Sequence, residues 1–137
     1  MEKIQMPAGR YYVGDLCYLL SDEWGDVCNL IIQDHQCLEG KFTLPDGRDF
    51  VMFNTLYGDG SYNDNEGREY GVDSGSIGCM LVPEDAPEVR GGNCITFRYP
   101  FEAYSTGATL VFGPIRIETG DQDWNDRDED EDEEEYA

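Results

Sequence analysis

The sequence predicts a mainly β domain, an antiparallel barrel, roll or sandwich of about eight short strands with one short helix, followed by an acidic tail. An α+β arrangement is the alternative. Two observations carry this prediction. Of 137 residues, nine are Tyr, six Phe and 16 Gly, a mixture suited to pleated surfaces and tight turns. The apolar runs are short and recur at hairpin spacing, with Gly, Pro, Asn and Asp between them. Subtracting the tail leaves about 120 residues, enough for one hydrophobic core. The predicted division is therefore a β-rich domain over 1–119 and a disordered tail over 120–137.

Arg10–Leu20 (RYYVGDLCYLL) reads as a strand broken or bulged at Gly14-Asp15. Ser21 is then placed to cap a helix, with Asp22 and Glu23 in its first turn. Trp24, Val27, Cys28 and Ile31 follow on one helical face, and Gly25 weakens that helix without excluding it. Lys41–Leu44 and Arg48–Leu56 flank Pro45-Asp46-Gly47, a turn between paired strands. Tyr57–Gly67 is polar and reads as an exposed loop. Arg68–Val72 and Ile77–Val82 are short strands around an Asp73–Ser76 turn. Cys94–Phe101 alternates, with Ile95, Phe97, Tyr99 and Phe101 on one line. Thr109–Phe112 and Ile115–Thr119 complete the strands around Gly113-Pro114.

Charge is the other dominant feature. The chain holds 30 acidic and nine basic residues, a formal net of −21. Residues 121–137 (DQDWNDRDEDEDEEEYA) carry −10 of this, and the body still carries −11. A dense run of like charge with no apolar run is predicted to stay disordered. Such a chain repels nucleic acid and anionic membrane and attracts basic surfaces. Apolar runs fall short of the roughly 18 residues that span a bilayer, and MEKIQMPAGRYYVG has no apolar leader core. Five cysteines without a C-x-x-C pair read as reduced thiols. The expected compartment is the cytoplasm, here of a host cell.

The segment GDGSYNDNEGREYGVDSGSIG, residues 58–78, concentrates acids, Gly and Tyr. As a calcium loop starting at Asp59 it fails: its sixth position is Asp64 instead of Gly, its twelfth Tyr70 instead of Glu. Val72-Asp73-Ser74-Gly75 matches the Asp-Ser/Thr-Gly core of aspartic proteases, in which two aspartates share a proton. Asp73 would need an identical partner from a second subunit, and turn geometry also explains these residues. His35 is the only His and lies in a polar linker, so neither a metal centre nor a Cys–His nucleophile is expected. No cofactor is expected either. In the tail, Trp124 sits among Asp123, Asp126 and Asp128; an aromatic anchor in a pocket, with carboxylates on a basic rim, competes there with a solubilising role.

Three segments together carry a resemblance: Tyr12-Val13-Gly14-Asp15-Leu16-Cys17-Tyr18 with Trp24, Tyr57-Gly58-Asp59-Gly60-Ser61-Tyr62, and Tyr70-Gly71-Val72-Asp73-Ser74-Gly75-Ser76-Ile77-Gly78. The pattern resembles a group of small, largely uncharacterised proteins from phages and bacteria, in which the first segment reads Tyr-x-Gly-Asp-Pro-Cys-Tyr. Leu16 departs from that Pro. The resemblance spans about residues 10–82 and implies an intracellular β-rich domain in a mobile-element context, without an activity.

The function expected from these readings is non-enzymatic: an acidic phage-type protein that occupies a basic surface of a host or defence protein, as an inhibitor or nucleic-acid mimic. Carboxylates on a rigid β-body can imitate phosphates. The candidate binding residues are Asp59, Tyr62, Asp64, Glu66, Tyr70 and Asp73 on the body and Trp124, Asp126 and Asp128 in the tail. Direct nucleic-acid and membrane contacts are not expected. The alternative is a nucleotide- or small-molecule-binding domain with Tyr57, Tyr62 and Tyr70 stacking on a planar ligand. Hydrolysis through Asp73 is the remote alternative.

Overall fold

A computed structural model describes residues 3–34 and 36–119. Two antiparallel sheets are built from strands β1 (Ile4–Met6), β2 (Gly9–Gly14), β5 (Gly40–Thr43), β6 (Asp49–Asn54), β9 (Ser76–Leu81), β10 (Gly92–Phe97), β11 (Phe101–Ser105), β12 (Thr109–Phe112) and β13 (Ile115–Glu118), numbered in chain order with four further strands given below. One sheet has the order β10-β2-β9-β6-β5 and the other β1-β11-β12-β13. They share no hydrogen-bonded edge, so the sheets are not closed into a barrel and stack on one another.

Period-two alternation explains the stacking. Tyr11, Val13, Val51, Phe53, Ile77 and Cys79 point from the five-stranded sheet into a core shared with Ile4, Met6, Ala103, Leu110, Phe112 and Ile117 from the four-stranded one. The opposite side chains, Tyr12, Phe50, Met52 and Met80, form a second core with Leu16, Leu20, Val27 and Ile31 from the helices. The five-stranded sheet is therefore covered on both faces, and the molecule has three layers. Each fully buried Val, Leu, Ile or Phe contributes about 1.5–3 kcal/mol relative to exposure.

The helical layer differs from expectation. The break at Gly14-Asp15 is real, but α1 (Leu16–Leu19) follows it instead of more strand. Asp15 accepts the Cys17 amide and caps α1. Ser21 makes no capping side-chain bond; Ser21–Glu23 is a 3₁₀ turn leading into α2 (Trp24–Ile31). Glu23 instead pairs with Arg48, tying the helical layer to the β5–β6 turn. Gly78 lets α1 approach the sheet: a Cβ there would lie 2.1 Å from the Val51 carbonyl oxygen and 3.0 Å from Leu16 Cδ1.

Four further features of the strands differ from expectation. The Tyr57–Gly67 segment is not simply a loop, because β7 (Gly60–Asn63) pairs with β8 (Glu69–Val72) in a hairpin that places Tyr62 opposite Tyr70. Cys94–Phe101 is two strands divided at Arg98–Pro100, since Pro100 lacks the amide a continuing ladder needs. Tyr99 consequently turns outward, 78% exposed, while Ile95, Phe97 and Phe101 stay in the core. β1 was not foreseen, and neither was the two-residue ladder of β3 (Ile32–Gln33) with β4 (Gln36–Cys37). His35 and the predicted tail lie outside the described residues.

Candidate functional site

The three segments that carry the resemblance meet at one corner of the five-stranded sheet, around Asp15. Its carboxylate is fully buried. Oδ1 accepts the Cys17 amide at 3.0 Å and the Ser74 hydroxyl at 2.7 Å; Oδ2 accepts the Asp73 and Ser74 amides, both at 2.7 Å. One carboxylate thus caps α1 and holds the turn before β9. Ser74 Oγ lies 2.9 Å from Ser76 Oγ. The Asp73 side chain is exposed and accepts a hydrogen bond from the Tyr18 hydroxyl. That bond, then partial burial, pushes the Tyr18 phenol up to about 12.

The Arg90 guanidinium lies 4.8 Å from the centroid of the Tyr18 ring. Gly91, at φ +84°, admits that ring, because a Cβ there would come within 2.1 Å of it. The segment 57–62 joins through its backbone and Thr55. The Thr55 amide donates to the Gly75 carbonyl at 3.0 Å, and the Thr55 hydroxyl donates to the Gly58 carbonyl at 2.7 Å. The Tyr62 hydroxyl also reaches Gly58, at 2.8 Å. Burial, then the bond and charge of Asp15, pushes the Cys17 thiol up to about 12.

A second buried carboxylate organises the β7–β8 turn. Asp64 accepts the Tyr70 hydroxyl and the Glu66 amide at 2.7 Å, the Arg68 amide at 3.0 Å and Arg68 Nη1 at 3.3 Å. Burial alone raises its pKa, but these donors, Tyr70 foremost, outweigh it and hold the carboxyl below its ordinary value. Asn65 exchanges hydrogen bonds with the backbone of Arg116 and donates to the Pro114 carbonyl, pinning this turn to β13.

These placements revise the predicted binding set. Tyr62 and Tyr70 are core residues, 2% and 0% exposed, so neither can stack on a ligand as proposed. Asp64 is a buried anchor. Asp59, Glu66 and Asp73 are exposed and remain on the surface of the body. Trp124, Asp126 and Asp128 lie outside the described residues. Sequence reasoning missed Asp15, Tyr18 and Arg90; the Gly14-Asp15 dipeptide was the available signal, because an acid directly before an apolar run can cap a helix.

Among the described residues, no group of three or more His, Cys, Asp or Glu side chains is placed to hold a metal ion. No helix among them is long and apolar enough to cross a membrane. Cys79 is buried and free, with its thiol pushed up by burial; Cys17, Cys28 and Cys94 are free and only partly buried. A cleft of about 320 Å³ opens where Arg68, Arg98, Tyr99, Pro100, Pro114 and Ile115 converge. Comparison with family models, curated proteins and solved structures finds no match for this chain.

Proposed function

We propose that the protein is a non-enzymatic acidic binder that occupies a basic, nucleic-acid-binding surface of another protein. The observation that supports this is how its charges are distributed. Apart from Asp15 and Asp64, every described carboxylate reaches the surface. The basic side chains are largely engaged: Arg10, Lys41, Arg48 and Arg68 pair with acids, and Lys3 and Arg90 lie over tyrosine rings. The outward field is therefore negative and is displayed on a body held rigid by two cores. The phage and bacterial resemblance favours a host or defence protein as the target. Asp59, Glu66 and Asp73 supply body carboxylates for the contact, and the acidic tail adds long-range attraction.

The test is affinity measurement of the full chain against basic nucleic-acid-binding proteins, with nucleic acid as competitor and salt as variable. A display that replaces several phosphates loses affinity on the order of 10³-fold between about 50 and 200 mM salt. Nucleic acid should compete, and the triple variant D59N/E66Q/D73N should slow association. Binding indifferent to both salt and nucleic acid would sink the reading.

A further inference from the structure

The cleft at the β10–β11 turn is unusual for this molecule. Its walls are Arg68, Arg98, Tyr99, Pro100, Pro114 and Ile115. Arg98 makes no hydrogen bond or ion pair among the described residues. Glu66 stands at the rim but is committed to Arg68 at 3.2 Å. An exposed aromatic ring, two prolines and an uncommitted guanidinium suit an anionic segment that also carries an aromatic side chain.

A free anion approaching this cleft meets the repulsion of a body at −11. A tethered one meets the same repulsion, but attachment offsets it with an effective concentration on the order of millimolar. The chain itself carries such a segment. Thr119 is fixed in place, its amide and hydroxyl both donating to the Ala108 carbonyl, at 2.7 and 2.6 Å. Ile115, in the cleft wall, lies four residues earlier, about 13 Å along β13. Trp124 lies five residues later, a reach of up to about 17 Å. Arg116, exposed on β13, flanks the return path.

We propose that this cleft is the docking site of the chain's own residues 121–128, with the Trp124 indole against Tyr99 and Pro100 and the carboxylates of Asp123, Asp126 and Asp128 towards Arg98 and Arg116. The contact goes beyond partner binding and needs no partner. It makes the tail a competitor in cis, released when a more basic surface draws it away.

The test uses the full chain labelled with 5-fluorotryptophan, which gives one fluorine resonance for Trp24 and one for Trp124, assigned with W124F. At low salt the Trp124 resonance should stand away from the position of fluorotryptophan in a short solvated peptide. High salt, R98E and Y99A should each move it most of the way to that position and leave Trp24 in place. K41E makes the same charge change on β5, the far edge of the five-stranded sheet, and should leave Trp124 unmoved. A Trp124 resonance already at the solvated position at low salt overturns the proposal. So does a displaced resonance that ignores both R98E and Y99A, and so does displacement that grows with protein concentration, which would mean a second copy fills the cleft.

Discussion

Replacing Asp15 with Ala removes the one acceptor shared by the start of α1 and the turn that leads into β9. Four donors lose their partner: the amides of Cys17, Asp73 and Ser74 and the Ser74 hydroxyl. Hydrogen bonds to a charged group contribute about 1.5–3 kcal/mol each, so a simple sum overshoots. Asp73 and Ser74 are exposed and can take water, and the desolvation cost of the carboxylate is recovered when it is deleted. Loss of a helix cap alone costs about 1 kcal/mol, and each buried donor left unsatisfied costs about 1–3 kcal/mol. The expected loss for D15A is about 4 kcal/mol. D15N keeps one acceptor but turns an amino group towards donors, and should lose about 2–3 kcal/mol. In urea, with a slope of about 1–3 kcal/mol/M, the D15A midpoint should fall by about 2 M without a change in slope. A D15A protein within about 1 kcal/mol of the parent, by matched fluorescence and circular dichroism melts, would refute the clamp.

Three other outcomes are expected. G78A forces a Cβ against the Val51 carbonyl of the neighbouring strand β6 and against the Leu16 side chain; displacing β6 and α1 should cost about 3 kcal/mol, read as a lowered melting temperature. Asp64 has a folded-state pKa below its ordinary 3.8, so its contribution is complete above that value and is lost as pH falls through the folded pKa. D64N should therefore destabilise at pH 7 and flatten the stability loss below about pH 4, checked by urea melts across that window. Cys17, raised from 9.0 to about 12, has far less thiolate at pH 8, only partly offset by that thiolate's greater nucleophilicity, and should alkylate on the order of tens of fold more slowly in the folded protein than in urea. Buried Cys79 should be protected likewise; equal rates in both states would contradict this placement.

Local chemistry carried much of the architecture. Pro45-Asp46-Gly47 specifies its turn whatever the rest of the chain does, and the spacing of Val27 and Ile31 marks a buried helical face. Features that depend on distant partners were hidden. Tyr62 lies in a run of Gly, Ser, Asn and Asp, and only its register opposite Tyr70 makes that run a strand. Tyr99 fits the alternation of Ile95 and Phe97, yet Pro100 ends the ladder and turns the ring outward. The same holds for the candidate site. The acid-rich 58–78 segment was visible, but its division into surface carboxylates and the buried anchor Asp64 depends on donors from Arg68 and Tyr70. Asp15 reads as a break in the sequence, and its partners lie 58 and 59 residues away.

The order of the five-stranded sheet also bears on how the chain finds its fold. β2 lies between β9 and β10, so Tyr11 pairs with Leu81 on one side and Ile95 on the other, separations of 70 and 84 residues. Both closures must precede the burial of Tyr11 and Val13, and long loops are entropically slow to close. The local hairpins β5–β6 and β12–β13 can form early, while β2 waits for strands made much later. Until then its apolar residues lack their cover. Folding should proceed at the slow, high-contact-order end for a domain of this size, and a charge of −21 helps keep the waiting chains apart.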